Sequence, residues 1–201
     1  MQTKKQSLVN EPDIEYGHYS YADYLTWTMD EVVELIKGKV FKKAAAAPGR
    51  RHQRISMHLG SELFQFLKGK PCEVFHAPFD VRLPVKSKKN SEIDTVVQPD
   101  ICVVCDPEKL DEAGCVGAPD LVVEILSPGN TKKELKLKYE VYKESGVKEY
   151  WVVYPVEQSM LIYTLENGEY QASRLMASGD KIESKVISGF SLDLDELFSP
   201  L

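Results

Sequence analysis

A carboxylate stands inside an apolar run that offers it no water. Leu121 to Leu126 reads LVVEIL, a strand apolar on both faces, and Glu124 interrupts it. An ionised side chain without a partner in such a run costs several kcal/mol, so the fold must bring one to it. The run lies within Ala118 to Tyr154, APDLVVEILSPGNTKKELKLKYEVYKESGVKEYWVVY. This stretch predicts the strand, a turn at Ser127-Pro128-Gly129-Asn130, a helix over about Thr131 to Ser145, and a second apolar strand at Glu149 to Tyr154.

The helix carries a second anomaly. At roughly 100° per residue, Leu135, Leu137, Tyr139, Val141 and Tyr142 share one arc. Lys132, Lys133, Lys136, Glu140, Lys143 and Glu144 share the opposite one. Glu134 and Lys138 fall within the apolar arc. An inward-facing lysine directly after a strand with a buried glutamate points to a built polar site.

Length and composition set the frame for that site. At 201 residues the chain is long enough for one layered core, and 43% hydrophobic with 28% charged residues is ordinary for a soluble globular protein. No apolar run approaches the roughly 20 residues that cross a bilayer, and Met1 to Asp13 lacks a signal-peptide core, so a cytoplasmic protein with no membrane association is expected. The net charge of -6 argues against a general nucleic-acid coat protein but leaves room for a local basic groove. Cys72, Cys102, Cys105 and Cys115 include one C-x-x-C spacing without a second ligand pair; buried free thiols are expected rather than zinc or disulfides.

Residues 1–18 are polar and mixed, and read as a flexible arm ahead of a single domain spanning 19–201. Tyr19 to Trp27 predicts a short helix, and Glu31 to Lys43 two strands around a Lys37-Gly38 turn, with Glu34 between apolar neighbours. Ala44 to Pro48 leads into a helix of about Arg50 to Lys68, whose buried stripe is Ile55, Leu59, Leu63 and Phe66, with His52 and Glu62 on the same side. Arg50, Arg51 and Arg54 face solvent or an anionic ligand in this reading; His58 and His76 are assigned no role.

One or two strands follow over Glu73 to Leu83, broken at Pro78, and then a basic loop at Lys86 to Ser91. The strand Val96 to Val104 is interrupted by Pro99-Asp100, which makes Asp100 a second carboxylate where a core side chain is expected. Asp106 to Ala113 reads as a loop or a single helical turn. After Tyr154, Met160 to Leu165, an Asn167-Gly168 turn and Tyr170 to Met176 predict an antiparallel meander. A strand near Lys185 to Ile187 and a short helix at Asp193 to Phe198 complete an α/β fold with a mixed central sheet flanked by helices.

Two carboxylates from neighbouring strands can hold a hard divalent cation such as Mg2+ through oxygen atoms. Such an ion polarises a phosphoryl oxygen, and a nearby ammonium can orient water or offset developing charge. Asp100, Glu124 and Lys138 are therefore the candidate equipment for phosphodiester hydrolysis.

The arrangement resembles the PD-(D/E)XK nuclease superfamily. The phrases RHQRIS, APFDVRL, VVQPDI, GAPDLVVEILSP and KYEVYKESGVKEYW, in this order, resemble a bacterial group of small predicted restriction endonucleases, the Uma-type family, over about Tyr19 to Phe198. The resemblance implies a restriction-endonuclease-like fold and a Mg2+- or Mn2+-dependent endonuclease acting on DNA; the lack of an evident reading head suggests weak sequence preference or dependence on a partner or dimer mate, so a homodimer is expected. It assigns Asp100 to the PD element and Glu124 to the acidic position of (D/E)XK, both metal ligands, with the backbone carbonyl of Ile125 as a third. The motif's lysine would fall on Leu126; the resemblance moves it to Lys138, the residue that helical spacing singles out independently.

Asp120, of the second Pro-Asp pair, lies one strand-length from the shared site and reads as a decoy. His52 and Glu34 rank ahead of Asp80 and Glu62 as further catalytic residues, and Arg50, Arg51, Lys132 and Lys133 are candidates to hold the nucleic-acid backbone. Two rival readings stay open. One is a catalytically inactive nuclease-fold module that binds nucleic acid or protein; the other is a phosphohydrolase of small nucleotides.

Overall fold

The segment around Glu124 lies at the centre of the molecule. In the computed structural model, residues 17–28, 32–42, 49–127 and 130–199 are described. Residues 1–16 of the expected arm at 1–18, the whole connection at Ala44 to Pro48, and Pro128-Gly129 of the expected turn lie outside them.

In chain order the elements are α1 (Tyr21–Tyr24), β1 (Val33–Ile36), β2 (Lys39–Lys42), α2 (Arg50–Leu67), β3 (Glu73–His76), β4 (Val81–Arg82), β5 (Val96–Val97) and β6 (Ile101–Val104). Then come β7 (Leu110–Asp111), β8 (Gly114–Val116), β9 (Leu121–Ile125), α3 (Lys132–Ser145), β10 (Glu149–Tyr154) and β11 (Ser159–Glu166). The last are β12 (Glu169–Ala172), β13 (Met176–Ala177), β14 (Lys181–Glu183), β15 (Ser191–Asp193) and α4 (Leu194–Phe198).

The central sheet runs β12-β11-β10-β9-β6-β3. Its β9–β10 pair is parallel, with α3 as the crossover, and its remaining pairs along that order are antiparallel, so the sheet is mixed as expected. The C-terminal meander is β10-β11-β12. A second sheet, β2-β1-β5-β4-β8-β7, packs beside it, and the chain passes from the second sheet to the central one three times, after β2, β5 and β8. It leaves the second sheet at Pro99-Asp100, between β5 and β6, so the two halves of the expected Val96 to Val104 strand belong to different sheets.

Alternation along the central strands sorts the core into two layers. Ile101, Val103, Leu121, Val123, Trp151 and Val153 face Ile55, Leu59, Leu63 and Leu67 of α2 and the apolar side of α4. On the opposite face Val122, Tyr150 and Val152 meet Val141 and Tyr142 of α3 and Val81, Val97 and Cys115 of the second sheet. Each fully buried aliphatic side chain contributes about 1.5–3 kcal/mol, so these layers fix which side chains look toward α3. Tyr21 of α1 joins Val33, Leu35, Ile93 and Val96 in a third cluster on the far side of the second sheet.

Local signals explain the boundaries. The hairpin β1–β2 turns at Lys37 and Gly38 with φ of 50° and 74°, a left-handed pair that suits the twist of the strands. Helix α3 begins where Thr131 accepts from the Glu134 backbone N–H and ends at Gly146, whose φ of 85° a side chain would disfavour.

Several expectations are corrected. Glu62 is exposed beside His58, and Leu67 takes the buried position at the end of the α2 stripe, with Phe66 half-buried. Arg54 does not face an anionic ligand: its Nη2 donates to the Phe198 carbonyl at 2.9 Å and ties α2 to α4. Lys185 to Ile187 is a loop, because Ser184 and the Lys185 N–H donate to the buried Glu149 carboxylate and hold the chain away from a ladder.

The thiols also divide. Cys102 and Cys115 are buried and free, as expected, but Cys72 and Cys105 form a disulfide. Glu73 pairs with Val104, which sets Cys72 opposite Cys105 one step beyond the ladder, while Cys102 points to the other face.

Candidate active site

The β6–β9 register decides where the two carboxylates meet. Ile101 pairs with Val123, so the next position outward sets Asp100 opposite Glu124. Beyond that last pair the Asp100 carboxylate reaches His52 of α2, and Glu124 reaches Lys138 and Tyr142 of α3. Asp100 lies just past the end of β6, and its Oδ2 accepts from the Ile125 N–H at 2.7 Å. Its carbonyl accepts from Ala77 N at 3.2 Å, and His52 Nε2 of α2 lies 3.3 Å from the same Oδ2.

Helix α3 answers the question posed by Glu124. Lys138 and Tyr142, one turn apart, both reach its Oε1, at 2.8 Å from Nζ and 2.7 Å from the phenol. Lys138 Nζ also lies 3.0 Å from Glu34 Oε1, which accepts in addition from the Gln98 N–H at 2.8 Å. Glu34 is 2% exposed, Lys138 3% and Glu124 7%, so this is an ion triad removed from water. Burial alone would lower the Lys138 ammonium; the Glu124 and Glu34 carboxylates outweigh it and hold the amine charged, its pKa raised. The Tyr142 phenol is pushed upward by burial and by the same two carboxylates, so it remains a donor.

Glu34 reaches the triad because alternation along β1 turns it toward α3, while Val33 and Leu35 join the cluster around Tyr21. It does not face water. Gln98, just before Pro99-Asp100, links this triad to a further acid: its Nε2 donates to Asp80 Oδ1 at 2.8 Å. Tyr24 and Tyr21 hydroxyls approach Asp80 at 3.4 Å each, docking α1 near the site. Burial, with the Asp80 charge, raises the Tyr24 phenol.

On the α2 side, Ser56 Oγ lies 3.2 Å from His76 Nδ1, and burial depresses the His76 imidazole against the upward pull of Asp100. Gly60, on the same helix face, leaves space that His76 fills: a Cβ there would collide with its Nε2 and Cε1.

The structure thus brings Asp100, Glu124, Lys138, Glu34 and His52 together at one end of the central sheet, with Asp80 one residue further out through Gln98. It leaves Glu62 away from them on the exposed side of α2. Asp120 is absorbed elsewhere, accepting from Lys148 Nζ at 2.6 Å and the Cys105 N–H at 2.8 Å. Arg50, Arg51, Lys132 and Lys133 are exposed at the starts of α2 and α3. Sequence reasoning missed Gln98, Tyr142 and His76. Tyr142 was visible as a phenol one turn after Lys138, whereas Gln98 joins Glu34 through its backbone N–H and Asp80 through its side-chain amide, partners that lie far from it in the sequence.

Among the described residues no three His, Cys, Asp or Glu side chains converge as a metal-binding group. A set able to hold a hard cation would therefore be smaller: the Asp100 and Glu124 carboxylates and backbone oxygen, with water to complete the shell. All-oxygen donors of this kind suit Mg2+ or Mn2+ rather than a soft ion.

A family model described as "Uma2: Putative restriction endonuclease" matches residues 21–195. A protein from Synechocystis sp. described as uncharacterized is 25% identical over 198 residues, covering 96% of this chain and 98% of its own. A crystal structure described as that of a putative nuclease belonging to DUF820, from Anabaena variabilis, matches with a TM-score of 0.70 at 20% identity. That match covers 89% of this chain and 97% of the other, and at this identity it shows the fold alone.

Proposed function

The chain belongs to the Uma2 family of restriction-endonuclease-like proteins, and from that premise we propose that it is a Mg2+- or Mn2+-dependent endonuclease cleaving DNA phosphodiester bonds. The observation that carries this reading is the placement of Asp100 opposite Glu124, with the Lys138 ammonium 2.8 Å from the latter. When bound, the cation would polarise the scissile phosphate and make water more acidic.

The chain's own residues do the rest. Asp100 and Glu124 would hold the ion through carboxylate oxygens, with the Ile125 carbonyl as third donor. Lys138 orients the attacking water or offsets charge on the phosphate as the new P–O bond forms and the ester P–O bond breaks. Glu34 and Tyr142 hold Lys138 and Glu124 in that relation, at 3.0 Å and 2.7 Å. Arg50, Arg51, Lys132 and Lys133 hold backbone phosphates from the starts of two helices, where the positive dipole end adds to their charge. A chain whose described part carries no separate reading helix suits weak sequence preference, or reliance on a second copy in a homodimer.

One observation favours the inert interaction module instead. Lys138 already contacts two carboxylates, as a purely structural ion triad would. Incubation with supercoiled and single-stranded DNA, with and without Mn2+, decides between them. Metal-dependent nicking that disappears in Glu124→Gln supports the enzyme; no cleavage of either DNA refutes it, and cleavage of a nucleotide panel alone assigns small nucleotides instead.

A further inference from the structure

Asp100 is gripped from three directions: through its carbonyl by Ala77 N, through Oδ2 by Ile125 N, and through Oδ2 again by His52. His52 is the one side chain among the three, and it comes from α2, across the sheet from α3. It is 8% exposed on a helix whose neighbouring inward residues are Ile55 and Leu59. A buried imidazole in that stripe requires a polar reason.

The ring's other nitrogen supplies the next step. His52 Nδ1 is buried and has no hydrogen-bond partner among the described residues. A proton on Nδ1 would make a buried donor with nothing to bond, a loss of about 1–3 kcal/mol, whereas a bare acceptor is better tolerated. The ring therefore carries its proton on Nε2, where Asp100 Oδ2 stands 3.3 Å away to accept it.

We propose that His52 is a positioning residue: its Nε2–H donates to Asp100 and fixes the carboxylate in the rotamer that meets the cation shared with Glu124. This replaces the catalytic role that the sequence assigned to His52, and it rests on Asp100 being a metal ligand. A partner one step behind a ligand governs how much ordering the metal must impose, and removing such a partner costs roughly 10–100-fold in metal affinity. The geometry also ranks replacements. Glutamine can extend an amide N–H close to the Nε2 location, whereas asparagine reaches only as far as Nδ1.

The test is Mn2+ titration calorimetry on the full chain, comparing wild type with His52→Gln, His52→Asn and His52→Ala, with thermal unfolding of each. His52→Ala and His52→Asn should weaken Mn2+ binding by roughly 10–100-fold, and His52→Gln should recover most of that loss. A merely structural histidine would lower the melting temperature of all three and leave the Mn2+ affinity unchanged, which overturns the proposal while Asp100 stays a ligand. If His52→Ala does not fold, equal affinities in the glutamine and asparagine variants overturn it. A wild type with no Mn2+ site refutes both this proposal and the reading of Asp100 on which it stands.

Discussion

Replacing Lys138 by methionine removes one ammonium and keeps most of the apolar stem. Nζ lies 3.0 Å from Glu34 Oε1 and 2.8 Å from Glu124 Oε1, with all three residues under 8% exposed. Breaking a buried pair by deleting one partner costs about 3–5 kcal/mol, chiefly because the opposite charge stays buried. For a chain of this size each kcal/mol moves the melting temperature by roughly 2–4 °C, so Lys138→Met should melt about 6–20 °C below wild type in metal-free buffer. Neutralising both carboxylates in the background of Lys138→Met, by Glu34→Gln and Glu124→Gln, should recover much of the loss, since the penalty belongs to the uncompensated charges. Lys136→Met, on the exposed side of the same helix, should stay within about 0.5 kcal/mol of wild type. Calorimetric melting in the absence of divalent ions reads all three. A Lys138→Met midpoint equal to that of Lys136→Met, or a triple variant no better than Lys138→Met, would refute the buried-triad argument.

Other consequences follow from the same geometry. The Cys72–Cys105 bond closes a loop with a sequence separation of 33 residues, worth roughly 3–4 kcal/mol of unfolded-state entropy, so reduction by dithiothreitol or Cys105→Ser should lower the melting temperature by roughly 6–16 °C. An unchanged midpoint counts against the crosslink. Burial raises the Glu149 carboxyl above its ordinary 4.5, opposed in part by its Ser184 and Lys185 hydrogen bonds. Its stabilising contribution is therefore full below pH 4.5 and drains away as pH rises through the folded-state value, so wild type should lose stability relative to Glu149→Gln on going upward from about pH 4. A wild-type-minus-variant difference that does not change with pH contradicts this. Arg51→Ala and Lys133→Ala should each weaken DNA binding without sequence preference and reduce the salt slope by about one, read by fluorescence anisotropy across ionic strengths. Unaltered slopes would remove these residues from the backbone contact.

What the sequence disclosed and what it withheld have physical causes. The strand Glu149–Tyr154, the helix ending at Gly146 and the Lys37-Gly38 hairpin come from local periodicity and turn chemistry, which neighbouring residues determine by themselves. Lys138 was legible because a cation on an apolar arc contradicts its surroundings. The division at Pro99-Asp100 was legible only as a break; which sheet each half joins depends on β1 and β9, far away in the chain. Glu34 showed only as an acid between apolar neighbours, because nothing near it in sequence reveals that α3 covers that face. Cys72 and Cys105 are joined by strand register, and the C-x-x-C spacing of Cys102 with Cys105 drew attention to a pair whose members face opposite sides of the sheet. Val186 and Ile187 supplied the apolar pattern of a strand, but Ser184 and Glu149 pin that segment as a loop.

Two aspartates that each follow a proline separate the proposed metal site from general acidity. Asp100 lies opposite Glu124, whereas Asp120 is engaged by Lys148 and the Cys105 N–H at the other end of the same strand. Mn2+ titration of Asp100→Asn beside Asp120→Asn is the most direct measurement. The account predicts a site abolished in Asp100→Asn and retained in Asp120→Asn; equal Mn2+ binding by the two variants would contradict it.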